Sequence, residues 1–339
     1  MSRALAVGRF AVVSLTVALF GCGTPEGSPA PSGPVPYPLK ALPAHFPPMV
    51  IPDDNPTTVP GVALGRTLYY DNRLSQDGTR ACADCHLQQS AFTSTRGMGV
   101  LPHINLAFAR HFLWDGSTEG TLEDAMRMEV NDFFHTDVAR LREPDLEVMF
   151  EAAFGTPEVT TERAALALAQ FQRTLTSADS RWDRYMAGDA AALTEAEQRG
   201  MALFNSERAE CFHCHATALF TDNLFHNNGL DEVVTGTGRA HVTGRFHDEG
   251  AFKTPTLRNV ALTAPYMHDD RFDTLEAVVD FYSEGVRPSH SISALIPNPY
   301  TGGLALTAQE KADLVAFLKA LTDASFLTDP ALGPPSKEP

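Results

Sequence analysis

The chain has 339 residues, a formal charge of −16 at pH 7 and five cysteines, with a mean hydropathy of −0.15 and a pI near 5.1. That acidic balance excludes nucleic acid as a partner, because phosphate binding needs a basic face. The length suits two medium domains once terminal segments are set aside.

Residues 1–22 open with Arg3 and Arg9, run apolar from Ala11 to Phe20 and end in Gly21-Cys22, the pattern of an export signal. The run is too short to span a membrane as a mature helix. Leu19-Phe20-Gly21-Cys22 is similar to a bacterial lipobox, which makes Cys22 the lipid-bearing first residue of the mature lipoprotein. An ordinary signal peptide that discards Cys22 is the alternative. The expected location is periplasmic, with the membrane touched only through lipid on Cys22. Residues 23–56 hold a Pro-rich run and read as an extended tether.

The folded part is expected from Thr57. Cys82-Ala83-Asp84-Cys85-His86 has the spacing at which two thiols and an imidazole reach one haem. The sulfurs bond the porphyrin and the histidine becomes the proximal iron ligand. Cys211-Phe212-His213-Cys214-His215 repeats the motif, so two covalent haem c groups are expected. Zinc is the competing reading, though paired Cys-x-x-Cys units of zinc sites lie much closer together in sequence. With Cys22 on lipid, every cysteine is assigned and no structural disulfide is left.

Helix signals dominate. Thr161 to Ser177 reads as a core helix, while Thr194-Glu195-Ala196-Glu197 and Thr307-Ala308-Gln309-Glu310 are capping boxes. Lys311 to Leu321 reads as the closing helix. Asn227 to Gly250 reads as a long loop. The fold class is mainly α.

The halves repeat each other. Asn105 to Asp115 aligns without a gap on Asn259 to Asp269, and Thr121-Leu122-Glu123 and Thr274-Leu275-Glu276 follow. Two haem domains related by internal duplication are expected at 57–188 and 189–328, with a tail at 329–339. Counting eight residues from each threonine pairs Glu129 with Tyr282. With His86 and His215 proximal, these two face the opposite sides of their haems.

Taken together, the sequence resembles the bacterial di-haem cytochrome c peroxidase and MauG-like family. The resemblance rests on both haem motifs, Leu64-Gly65-Arg66 through Leu74-Ser75, Phe112-Leu113-Trp114-Asp115-Gly116, and Phe252-Lys253-Thr254-Pro255 through Asp269. It implies two cytochrome c-like helical domains with one c-type haem each, calcium between them and Trp114 as an electron relay. Thr263 and Pro265 match positions whose carbonyls bind that calcium. The family's asparagine ligand falls on Gly99, so water would have to fill in. Tyr282 matches the distal-ligand slot of haem 2, with Met267, His268 and His290 as rivals. Acid-base work over haem 1 is expected from Glu129, His135 or both. His103 lies near haem 1 by sequence and is a candidate displaceable distal ligand.

The expected reaction is reduction of hydrogen peroxide to water at haem 1, which needs an open iron position, a proton shuttle and two electrons. Electrons would come from a small exported cytochrome c or cupredoxin to haem 2. A MauG-like oxidation of residues of a partner protein is the alternative. A non-catalytic electron-transfer cytochrome is a third reading. Monomer and homodimer are both compatible with the sequence.

Overall fold

The computed structural model describes residues 33–336 except 95, 96 and 98. The export signal and Cys22 lie outside the described residues. Helices start where side chains satisfy the backbone N–H groups that a first turn leaves open. Thr58 accepts from the Gly61 amide at the head of helix Val59–Tyr69, and Thr160 caps Thr161–Gln172. Both expected capping boxes are present, at the heads of Glu195–Phe204 and Ala308–Ala320. Among the described residues the strands are two-residue pairs: His111–Phe112 with Thr118–Glu119, and Phe225–His226 with Phe252–Lys253. The second pair brackets the long loop, which holds only short helical turns at Ala240–Thr243 and Phe246–Asp248. The chain is mainly helical.

From Pro34 onward the chain forms one compact unit with two hydrophobic clusters. One draws on residues 62–175 plus Phe326 and Leu332, the other on Phe46 and residues 178–321. A helix crossing organises each. Val59–Tyr69 meets Thr161–Gln172 at Gly65, where a side chain would overlap the Ala167 carbonyl. Glu195–Phe204 meets Ala308–Ala320 at Gly200, where it would overlap the Asp313 carbonyl. Only glycine admits backbones that close.

Two further segments follow the same backbone course. Thr121 caps Leu122–Met128, which runs into a π-turn at Glu129–Phe133. Thr274 caps Leu275–Asp280, which runs into a π-turn at Phe281–Gly285.

Three expectations are corrected. Residues 34–56 are not a free tether: Phe46 is buried beneath the Arg258 guanidinium, 4.5 Å from its ring centre. Asn55 Nδ2 donates to Glu123 Oε1 at 2.8 Å and to the Leu166 carbonyl at 3.1 Å. The segment at 329–334 is not a loose tail, since Leu332 is buried and Arg66 Nε donates to the Gly333 carbonyl at 2.7 Å. The division between clusters falls near residues 176–178 and not at Gly188. Trp182 packs edge-on to Phe220 at 4.7 Å, which assigns helix Arg181–Met186 to the second cluster.

Arg258 ties these pieces together. It is fully buried, donates from Nε to the Ala218 carbonyl at 2.8 Å, and meets both Asp183 oxygens at 2.8 and 2.9 Å. Burial alone would raise the Asp183 pKa, but the Arg258 hydrogen bonds and charge, with Ser180, hold it down to about 2. A carboxylate depressed in the folded state adds stability above its unfolded pKa and loses it as pH falls through the folded value. Arg258→Met should therefore cost about 3–5 kcal/mol at pH 7 by removing the one permanent cation beside a buried carboxylate, which would keep only His45 Nε2 at 2.9 Å and the Ser180 hydrogen bonds. In urea unfolding the gap from wild type should close as pH falls from about 4 towards 2. A pH-independent gap, or none at pH 7, would contradict the assignment.

Two candidate haem cavities

Each Cys-x-x-Cys-His segment closes a single turn, with the His86 amide on the Cys82 carbonyl and the His215 amide on the Cys211 carbonyl, both at 3.0 Å. The turn brings its two sulfurs and its imidazole to one side. Cys82, Cys85 and His86 line one cavity, and Cys211, Cys214 and His215 line another. The four described cysteines form no disulfide. Zinc shared between the two motifs is ruled out by that separation.

Both imidazoles are oriented in the same way. His86 Nδ1 lies 2.9 Å from the Phe92 carbonyl and His215 Nδ1 lies 2.9 Å from the Phe220 carbonyl. Phe92 and Phe220 take left-handed backbone angles, φ 58° and 51°, which turn those carbonyls onto the rings. An Nδ1–H donating to a carbonyl leaves Nε2 as the metal-binding nitrogen. Burial pushes the His86 pKa down to about 4, against the Phe92 hydrogen bond, and lowers that of His215 as well. Both are neutral at pH 7, as metal ligation requires.

Glu129 lines the first cavity. Burial raises its pKa to about 7. His135, the other expected acid-base residue, is exposed, left-handed at φ 47°, and bonded through Nδ1 to the Asn131 carbonyl at 3.0 Å. His135 follows the π-turn Glu129–Phe133, beyond the stretch that lines the cavity.

His103 lines the first cavity as well. Its ring lies face to face with His86, centroids 3.4 Å apart and planes 14° apart. His103 thus stands beside His86 in the wall that would hold the haem.

In the second cavity Tyr282, Met267 and His268 all line the wall. Asn228 Nδ2 donates to Tyr282 Oη at 3.1 Å and lies 3.6 Å from Met267 Sδ. Burial pushes the Tyr282 pKa up to about 12, against the Asn228 hydrogen bond. His290 is outside the cavity, paired with Glu249 at 2.9 Å and stacked on Phe246.

Trp114 lines both cavities, as do Leu101, Pro102, Lys253, Pro255 and Thr256. Its Nε1 donates to the Gly99 carbonyl at 2.6 Å, and its own carbonyl accepts from the Lys253 amide at 2.8 Å. Thr263 and Pro265 line the second cavity. Gly99 offers no side-chain oxygen, and its amide instead meets Asp270 Oδ2 at 2.5 Å.

Sequence reasoning missed Asn228, Gln172 and the carbonyls of Phe92 and Phe220. The only signal for the carbonyls was their near-constant distance after each histidine, six residues in one motif and five in the other. Lys253 was quoted only as part of a motif. Burial lowers its pKa to about 8, which leaves a mostly charged ammonium in the shared wall at neutral pH.

The apolar walls, the paired sulfurs and a neutral anchored imidazole in each cavity fit haem c. Pyridine haemochrome assay of the exported protein should give two haems per chain, and one after Cys82→Ala with Cys85→Ala. A single haem in wild type, or stoichiometric zinc, would contradict the fit.

Residues 60–191 match the family described as di-haem cytochrome c peroxidase. The methylamine utilization protein MauG of Methylorubrum extorquens is 37% identical over 307 residues, covering 83% of this chain and 84% of its own. Cytochrome-c peroxidase IdrP1 of Pseudomonas sp. strain SCT is 33% identical, with 85% and 88% covered. The crystal structure of a MauG-like protein associated with microbial copper homeostasis superposes with a TM-score of 0.79 at 38% identity, covering 87% of this chain and 98% of that one. A cavity built on each haem-attachment turn, and similarity of this extent over most of the chain, place the protein in the di-haem cytochrome c peroxidase family, as a haem c oxidoreductase of the peroxidase type.

Proposed function

We propose that the protein reduces hydrogen peroxide to two waters in the first cavity, with Glu129 moving the proton. The observation that carries this is the difference between the cavities. One presents a buried carboxyl with a pKa of about 7, the other a tyrosine and a methionine beside one asparagine. Haem, when bound, supplies an iron position for peroxide and the means to take up electrons. Glu129 accepts a proton from one peroxide oxygen and returns it to the other, work suited to a group that titrates near neutrality. In the second cavity Tyr282 is the preferred distal ligand and Met267 its neighbour. Trp114 stands in the shared wall and passes electrons from the second cavity to the first. Lys253, a buried cation there, suits an acidic haem substituent.

The finer parts of the proposal rest on the sequence. Electrons come singly from a small exported cytochrome c or cupredoxin. The protein is periplasmic, and Cys22 anchors it through lipid; no described helix is long and apolar enough to cross a membrane. The two helical clusters are duplicated haem domains. Calcium would take the carbonyls of Thr263 and Pro265, but with Gly99 in place of a side-chain donor the protein oxygens fall short and water must supply the rest. Tyr282 favours a second reading on the same site, in which the oxidising equivalents act on residues of a partner protein, as MauG-like relatives suggest.

Steady-state peroxide turnover tests the main reading. Glu129 must be ionised to take a proton, so turnover should rise with pH through about 7. Glu129→Gln should remove that rise and lower the rate about 10²–10⁴-fold, with both haem spectra near wild type. His135→Ala should behave as wild type, and Tyr282→Phe should alter the spectrum of the second haem alone. Normal turnover in Glu129→Gln would remove the chemical basis of the reading.

A further inference from the structure

From the wall of the first cavity, where His86, His103 and Gln172 stand together, a line of rings leads outward. The His103 ring lies on His86 at 3.4 Å. Its Nδ1 meets the Tyr69 hydroxyl at 3.1 Å and shares its lone pair with the Gln172 amide, which donates at 2.8 Å; the Tyr69 hydroxyl also lies 3.5 Å from the His86 carbonyl. Tyr69 is fully buried, with its ring edge-on to Tyr70 at 5.3 Å. Tyr70 is half-buried, and its hydroxyl donates to the Leu332 carbonyl at 2.8 Å. No step between ring centres in this line exceeds 5.9 Å.

The other half of the molecule serves as an internal control. Tyr69 lies four residues after Gly65 and packs on Phe92 and Phe171 at 6.1 and 5.2 Å. Phe204 lies four residues after Gly200 and packs on Phe220 and Phe317 at 6.0 and 5.3 Å. The gapless alignment of Asn105 on Asn259 sets His103 against Leu257, and Phe171 on Phe317 sets Gln172 against Leu318. Phe204, Leu257 and Leu318 all line the second cavity. Packing around a haem-attachment turn is thus met by Phe, Leu and Leu. The polar trio Tyr69, His103 and Gln172 does something more, since it leaves Gln172 Oε1 buried without a partner, which costs stability that an apolar trio would keep.

We propose that Tyr69 is a redox-active tyrosine that delivers an electron to the first cavity when the external donor is absent, with Tyr70 as its outlet to the surface. This rests on haem being held at Cys82, Cys85 and His86. Hydrogen peroxide takes two electrons and two protons in becoming two waters. Tyr69 gives one of those electrons, and its phenolic proton moves along the hydrogen bond to His103 Nδ1, leaving a neutral tyrosyl radical. The second electron would come from the haem held at Cys211, Cys214 and His215, passing Trp114, and the two protons would enter from solvent by way of Glu129. Gln172 Oε1 is buried without a partner; a turn of the amide presents it to the new N–H on His103. Tyr70 then returns an electron to Tyr69, which recovers its proton from His103, while the Tyr70 proton goes to water at the surface. The oxidising equivalent leaves the cavity without attacking its walls.

The test mixes ferric holoprotein with hydrogen peroxide in the absence of donor, followed by freeze-quench electron paramagnetic resonance. Wild type should show a tyrosyl radical whose splitting collapses when ring-deuterated tyrosine is incorporated. Tyr69→Phe should lose that signal while keeping both haems, the ferric spectrum and the peroxide-induced optical change, which should persist longer. The triple variant Tyr69→Phe, His103→Leu, Gln172→Leu copies the packing of the other half and should lose the signal in the same way, which guards against a folding defect in the single variant. The same tyrosyl signal in either folded variant would overturn the proposal. A wild-type optical change with no tyrosyl radical would overturn the relay alone. No optical change with peroxide would overturn the peroxidase reading, and the relay with it.

Discussion

The hydrogen bond from a buried imidazole Nδ1 to a carbonyl in the left-handed region sets both sites. Phe92 performs this for His86 and Phe220 for His215, each at 2.9 Å. It fixes the tautomer, aims Nε2 and ties the attachment turn to the strand of chain that follows it. Elements beyond it are placed relative to those turns. Phe92 and Phe220 also supply the rings on which Tyr69 and Phe204 pack, so the carbonyl that orients a ligand belongs to a residue of the core. Arg258 locks the second of these loops by accepting no alternative: its Nε is on the Ala218 carbonyl and its guanidinium lies 5.8 Å from the Phe220 ring.

Two segments of similar backbone course carry two unlike sites. A helix capped by threonine runs into a π-turn in both places, and π-turns are found where a side chain must be re-aimed at a functional site. In the first the turn carries Glu129, a carboxyl raised to about 7 by burial alone. In the second it carries Tyr282, held by Asn228. An acid without a strong partner can move a proton, whereas a phenol beside a thioether can close an iron face. Trp114, pinned at Nε1 and at its carbonyl, is the common wall of the two cavities and the relay proposed between them.

Much of this was legible in the sequence because it is local. Attachment turns, capping boxes and the alignment of Asn105 on Asn259 depend on spacing over a few residues, and spacing survives in a one-dimensional reading. The positions of His135 and His103 were not legible. His135 was expected from the family pattern, which does not show that it follows the π-turn and lies exposed, and sequence distance from His86 does not show that the His103 ring stacks on it. The packed segment at 34–56 was missed because proline content is a compositional average. The particular partners of Phe46 and Asn55 are long-range, and they decide the outcome.

We propose that the two haem sites differ in openness, the first free for a ligand beside Glu129 and the second closed by Tyr282 or Met267. Cyanide titration of the ferric holoprotein, followed by optical and electron paramagnetic resonance spectra, measures this directly. The account predicts one cyanide bound per chain, with the low-spin signal of the second haem unchanged. Two cyanides bound, or none, would contradict it.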